Sequence, residues 1–187
     1  MSNIIDNLVR MKNLTSIMVK LAYSDLFYTD TDLSKFLEEM NLEIRNLEKD
    51  TLKHVFRIRE SDELRINILE LMEYVKDIGN ACMNITVLKS KGRVLPFTEE
   101  MIDSSEERAM LVNVRKSSIL VDKTISETKV RTHTGANIKA VKRKEKWNFH
   151  INKKTILKRD DVVFAVGDAD AKKLFTKVAE GTLKTVY

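Results

Sequence analysis

The residues best suited to chemistry in this chain are cations grouped around a glycine turn. In Arg131-Thr-His-Thr-Gly-Ala-Asn-Ile138, a loop at Gly135 can bring backbone N–H groups close to an anion, and Arg131 adds a planar guanidinium fork that suits oxyanions. The same glycine equally suits an ordinary turn that needs positive φ. Downstream, Lys139, Lys142, Arg143, Lys144 and Lys146, interrupted by Glu145, form the densest basic run. That run reads either as a contact surface for an anionic ligand or nucleic-acid backbone, or as the solvated face of a hairpin. Glu73 and Asp77 stand four residues apart, so on a helix both carboxylates share one face, where they could hold a divalent metal or remain solvated. His54 and Cys82 fall on apolar seams and read as core, and His150 has no evident partner. No Gly-x-Ser-x-Gly, His-Glu-x-x-His or P-loop pattern occurs, so the chain is expected not to be an enzyme.

The elements that must position these residues divide at proline and glycine. Pro96 is the only proline, and Gly79 is the only glycine before Gly92. A segment almost free of both, with long apolar periodicity, reads as helical. Ile4, Leu8, Met11, Leu14, Met18 and Leu21 mark a first helix. Leu33, Leu37, Met40, Ile44, Leu47, Thr51, His54 and Ile58 mark a second, capped by Thr31 or Asp32. Leu64, Ile68, Leu71, Val75, Ile78, Cys82 and Ile85 mark a third, capped by Ser61 or Asp62. The alternation of four and three predicts an antiparallel three-helix bundle over residues 1–95. Flanking apolar residues (Ile66, Met72, Tyr74, Ala81) leave surface to bury, and a homodimer is expected.

Residues 98–109 read as a short connector helix, within a linking stretch 96–109. From there the period changes to two. Met110, Val112 and Val114 alternate, as do Trp147, Phe149 and Ile151, with Ile138, Ala140 and Val141 between them. The apolar run Val162–Gly167 is followed by a closing helix through Leu174, Phe175 and Val178. Residues 110–187 are therefore expected to form a small β-α-β-β-β-α domain, and the chain to be α+β.

The second half resembles the C-terminal regulatory domain of the TrkA type (RCK_C). The matching pieces are Ser-x-Leu-x-x-Lys-Thr-Ile at 118–125, Arg-x-x-Thr-Gly-x-x-Ile-x-Ala-Val-x-Arg at 131–143, Leu-Lys-x-x-Asp-x-Val at 157–163, and Val-Gly-Asp before the last helix. The first half is similar to a single PhoU-type three-helix unit. The pairing implies a cytosolic regulatory subunit of a potassium or other cation channel or transporter. It further implies a small ligand sensed at the interface of two TrkA-C domains. In relatives that bind a cyclic dinucleotide there, such as cyclic di-AMP, an arginine and an asparagine six residues on serve the ligand. Here those are Arg131 and Asn137, with His133 and Ile138 as polar and apolar walls. Metal-binding PhoU proteins use Glu-x-x-x-Asp pairs, which gives Glu73 and Asp77 a second motive. A PhoU-like docking adaptor with no ligand is the alternative.

Charge fits an anion in the second half. Residues 1–96 carry 14 Lys+Arg against 15 Asp+Glu, and residues 97–187 carry 19 against 13. A nucleic-acid partner is disfavoured because acids are mixed among the bases and no recognition helix is apparent. A single cysteine, no secretory pattern at the N-terminus and no long apolar run lead us to expect a cytoplasmic protein. Contact with the inner face of the membrane would come only through a partner.

Overall fold

A computed structural model describes residues 2–27, 33–90 and 108–183. These residues divide into two compact units, one on each side of residues 99 and 100.

The first unit is three helices, α1 (Ser2–Phe27), α2 (Ser34–Val55) and α3 (Asp62–Ser90), each packed on the other two. Their directions are fixed by paired contacts. Asn7 bonds Asp50 and Thr51 while Arg10 pairs with Glu43, so α1 and α2 are antiparallel. Arg45 bonds Asn80 while Lys76 pairs with Glu48, so α2 and α3 are antiparallel too. The core holds Met11, Leu14, Met18 and Leu21 of α1 with Leu37, Met40 and Ile44 of α2. The buried Asp25 carboxylate accepts the Leu33 N–H at 3.2 Å, so the end of α1 satisfies a donor at the start of α2. Ser61 caps α3 through its hydroxyl, which accepts the Leu64 N–H. The expected caps Thr31 and Asp32 lie outside the described residues.

Two seams differ from expectation. Helix α2 ends at Val55, which is buried, so His54 turns to the half-exposed edge beside Asp50 and Ile58 falls beyond the helix. On α3 the core line runs through Met72, Gly79, Cys82 and Thr86. Leu71 and Ile78 are exposed instead, at 47% and 43%. The cause lies at Gly79, where a Cβ would stand 2.8 Å from Asn41 Oδ1. A bare glycine lets α2 approach there, and that contact rotates α3 away from its strict heptad line.

The second unit is an antiparallel sheet with a helix on it. Strands β1 (Arg108–Asn113), β3 (Asn137–Arg143), β4 (Lys146–Asn148) and β6 (Val162–Gly167) form one sheet in the order β1-β6-β3-β4. Two short strands, β2 (Lys123–Thr124) and β5 (Ile156–Leu157), pair separately. Between β2 and β3 lie two single-turn helices, α4 (Ile125–Thr128) and α5 (Val130–Thr134), and α6 (Ala169–Glu180) closes the unit. Strand β6 is central, which is why its run of apolar residues is buried on both faces. Met110, Val112, Val163, Ala165, Phe175 and Val178 are in one core.

The unit is α+β, with two short strands beyond the expected four. The third expected strand is cut short at Asn148, because its side chain accepts the His150 N–H and bends the chain. Phe149 stacks on Trp147 at 6.2 Å rather than extending the ladder. Residues 98–107 of the expected connector helix lie outside the described residues, and 108 and 109 open β1. Among the described residues no helix is long and apolar enough to cross a membrane.

Candidate functional site

The site is built from the turn that joins β2 to β3. Thr124 begins it with a capping box. Its hydroxyl accepts the Glu127 N–H, and the Glu127 carboxylate accepts the Thr124 N–H at 2.7 Å and its hydroxyl at 2.6 Å. The Thr124 hydroxyl, and then its backbone N–H, hold the Glu127 carboxyl below the ordinary glutamate value. Lys129 then takes a left-handed conformation (φ 45°) between α4 and α5, an unusual backbone for a side chain of this length. Helix α5 ends at Gly135 (φ 76°), whose N–H returns to the Arg131 carbonyl.

The strand-connecting loop 149–155 is tied to this turn by main-chain bonds. Ser126 N–H donates to the Lys153 carbonyl at 3.0 Å, and Ile125 N–H to the Thr155 carbonyl at 2.9 Å. Asn152 and Thr155 brace the loop from within through their side chains. These bonds bring Lys153 to a pocket of about 320 Å³ that also contains Lys129, Arg131, Asn137 and Ile138. Three cations line it and no acid does. Ile125, Val130, Ala136 and Ile138 supply apolar wall, while Ser126, Thr132 and Asn137 supply polar groups. Among the described residues none of the three cationic side chains has an ion-pair partner. In a concave site an unpaired cluster of cations favours an anion, and the apolar walls suit a flat or aliphatic moiety attached to it.

The structure brings together three of the four expected ligand residues, Arg131, Asn137 and Ile138. His133 is half-buried on α5, and it is not among the residues lining the pocket. Gly135 is not an anion cradle. It faces α6, where a Cβ would stand 3.2 Å from Ala171 Cβ. Its own N–H and that of Ala136 are already used, the latter by Thr134 Oγ1. Its role is the positive-φ turn and the close approach to α6.

Lys129 and Lys153 are site residues that the sequence did not single out. Lys153 carries no local signal, because it arrives through bonds to a segment 27 positions earlier. The Thr-x-x-Glu of Thr124–Glu127 was legible as a helix start and would have placed the turn that carries Lys129.

Two of the five cations of the basic run are committed elsewhere. Arg143 makes a two-pronged contact with the Asp161 carboxylate, at 2.8 Å from both Nε and Nη2, and Nη2 also donates to the Ile156 carbonyl. Asp161 is fully buried and also accepts the Lys158 N–H. The bond to Asp161 pushes the Arg143 pKa up, so this guanidinium stays charged. Lys142 is buried to 8% exposure and pairs with Glu145 at 3.6 Å. Trp147 is buried in its own unit.

Glu73 and Asp77 are both exposed on α3, with Lys76 between them. Lys76 bonds Glu48, and that bond, with the nearby Glu73 and Asp77 charges, holds its pKa above the ordinary lysine value. Among the described residues no three His, Cys, Asp or Glu side chains gather as a metal site. Cys82 is buried on α3, and burial pushes its thiol pKa up.

With this geometry in place, comparison with known proteins gives a domain assignment. A family model described as the TrkA-C domain matches residues 109–178. No curated protein matches the chain. Solved structures that resemble it include the RCK_C domain dimer of S. agalactiae BusR in complex with c-di-AMP, 23% identical, covering 41% of this chain and 95% of that one, with a TM-score of 0.38. They include BusR with its busAB-promotor DNA, 14% identical, covering 92% and 96%, at 0.37. They also include the GsuK channel bound to NAD, 22% identical, covering 57% of this chain and 21% of that one, at 0.36. This chain thus spans about a fifth of the GsuK chain. The motif matches, the sheet order and the family model all fall on the same stretch: residues 109–178 are a TrkA-C domain.

Proposed function

We propose that this chain is a regulatory protein whose TrkA-C domain receives a small anionic ligand of the nucleotide class, and which acts on a cation channel or transporter. The observation that carries the reading is the pocket beside α5, with Lys129, Arg131 and Lys153 at its wall and no acid. Arg131 comes from α5 and Lys153 from the 149–155 loop, so one anion would bridge them and favour the conformation that holds both. Asn137, at the first position of β3, offers both a donor and an acceptor to a base or sugar edge. The helical unit is read as PhoU-like, the part that meets the partner protein. The protein works as a homodimer in the cytoplasm, as a regulator rather than a catalyst. A ligand-free adaptor would leave three unpaired cations around one pocket without a purpose. A nucleic-acid contact through the basic run is weakened because Arg143 and Lys142 are already engaged.

The test is calorimetric titration of the whole chain with c-di-AMP, NAD and inorganic phosphate. A nucleotide should bind, and Arg131→Ala and Lys129→Ala should each weaken it about tenfold or more, as loss of a charge-assisted hydrogen bond does. Binding that survives Arg131→Ala unchanged refutes the site.

A further inference from the structure

The helical unit carries an exposed apolar face, and locating the contact of the proposed homodimer on it rests on that reading. It lies along α1 and α3, which run parallel because both are antiparallel to α2. A groove of about 520 Å³ runs between them, bounded by Leu8, Val9 and Val19 on one side and Leu71, Val75 and Ile78 on the other. The stripe continues outward through Ile5 and Tyr23 on α1 and Tyr74 on α3, which are 54%, 50% and 62% exposed.

The face is large enough for a specific contact. From Ile5 to Tyr23 is about 27 Å at the helix rise, and two adjacent helices are about 20 Å wide. That is about 540 Å² for one copy and about 1,100 Å² for two, above the roughly 1,000 Å² a specific interface needs. Charge then selects the occupant. The α1 side carries the exposed Lys12 in the groove lining, while the exposed edge of α3 carries Glu63, Glu70 and Asp77 at seven-residue spacing. Lys12 sits midway along the α1 lining, as Val75 does along the α3 lining, so it stands between the levels of Glu70 and Asp77. An anionic membrane surface would be repelled by the acidic edge.

We propose that this face binds the same face of a second copy, in a parallel arrangement with the two-fold axis along the helices. That operator lays each α1 on the partner's α3 and brings Lys12 between Glu70 and Asp77 at matching levels. An antiparallel two-fold would lay α1 on α1 and α3 on α3, opposing the acidic edges of the two α3 helices and leaving Lys12 without an acid, which costs rather than gains. The contact is separate from the anion pocket and does not depend on it.

The test uses the full chain with Cys82→Ala and one added cysteine, either Val19→Cys or Ala81→Cys. These two exposed positions lie at nearly the same height on α1 and α3. Mild oxidation of an equal mixture should give the mixed disulfide, while each variant alone gives little. Lys12→Glu in both should slow that cross-link about fivefold, as surface ion pairs turned repulsive would. Adding Glu70→Lys and Asp77→Lys should restore it. Helical circular dichroism, unchanged in all variants, separates a lost contact from a lost fold. Disulfides between like variants would overturn the parallel operator. No cross-link in any combination would overturn the parallel self-contact.

Discussion

Replacing Arg143 with methionine tests whether this cation belongs to the fold or to a ligand. Arg143 covers the Asp161 carboxylate with two bonds of 2.8 Å, and the Asp161 side chain is 1% exposed. Removing the guanidinium leaves a buried carboxylate held only by the Lys158 N–H. Orphaning one member of a buried pair costs about 3–5 kcal/mol. Because the Arg143 side chain is 45% exposed, water screens part of the interaction, and the expected loss is about 3 kcal/mol. With a urea dependence of about 1 kcal/mol per molar for a unit of this size, the midpoint should fall by about 3 M. Trp147 is the only tryptophan and is buried in the second unit, so its fluorescence reports the unfolding of that unit alone. The double variant Arg143→Met with Asp161→Met removes the orphaned charge and should return to within about 2 kcal/mol of the native protein, the remainder reflecting the unpaired Lys158 N–H and Ile156 carbonyl. A midpoint shift below about 1 M in the single variant, or a double variant less stable than the single, would refute the reasoning.

Other outcomes follow from local geometry. Gly181 ends α6 at φ 75°, and a Cβ there would stand 2.4 Å from the Ser117 main-chain carbon and oxygen, so Gly181→Ala should cost more than about 2 kcal/mol by the same fluorescence assay. Asp168 caps α6 by accepting the Ala171 N–H at 2.7 Å, and Asp168→Ala should cost about 1 kcal/mol. Burial raises the Cys82 thiol pKa, so the folded chain keeps that proton longer than the unfolded one. Its contribution is intact below the ordinary thiol value of about 8.5 and is lost as pH rises beyond it. Alkylation by iodoacetamide should accordingly be far slower in the native protein than in urea, and equal rates would show that α3 does not bury the thiol.

What the sequence showed, and what it hid, follows the range of the interactions concerned. The helices of the first unit were legible because each carries its own 3.6-residue period, as in Met11, Leu14, Met18 and Leu21. The rotation of α3 was not, because it depends on one contact between Gly79 and Asn41 on a different helix. Strand β6 was plain from five apolar residues in a row before Gly167, whereas β2 and β5 are two residues each and exist only by pairing with one another. Arg131 and Asn137 were legible as a pair only through the resemblance to the TrkA-C type, since their spacing alone carries no ligand signal. Lys153 was invisible because the bond that delivers it, Ser126 N–H to its carbonyl, spans two connections of the chain.

The same distinction decides which cations of the second unit are available. Arg143 and Lys146 sit at the ends of adjacent strands, directly paired in the β3–β4 ladder, so nothing in their spacing separates a structural cation from a free one. What separates Arg143 is Asp161, which follows the turn at Arg159–Asp160 and enters beneath it; its N–H bonds the Lys158 carbonyl, and its carbonyl accepts the Val114 N–H. Backbone bonds hold that carboxylate in place, and Arg143 is committed to it at the expense of any solvent-borne anion. Around the α5 pocket the backbone presents no equivalent acid. Glu127, the one carboxylate of that turn, is held by Thr124 as the cap of α4. A helix cap therefore does two things at once: it stabilises the turn, and it keeps the local negative charge away from Lys129 and Arg131. Glu127→Gln preserves most of the cap while removing that charge, and should leave ligand affinity at the pocket unchanged or raised. A loss of affinity in that variant would mean that the carboxylate positions the cations rather than standing clear of them.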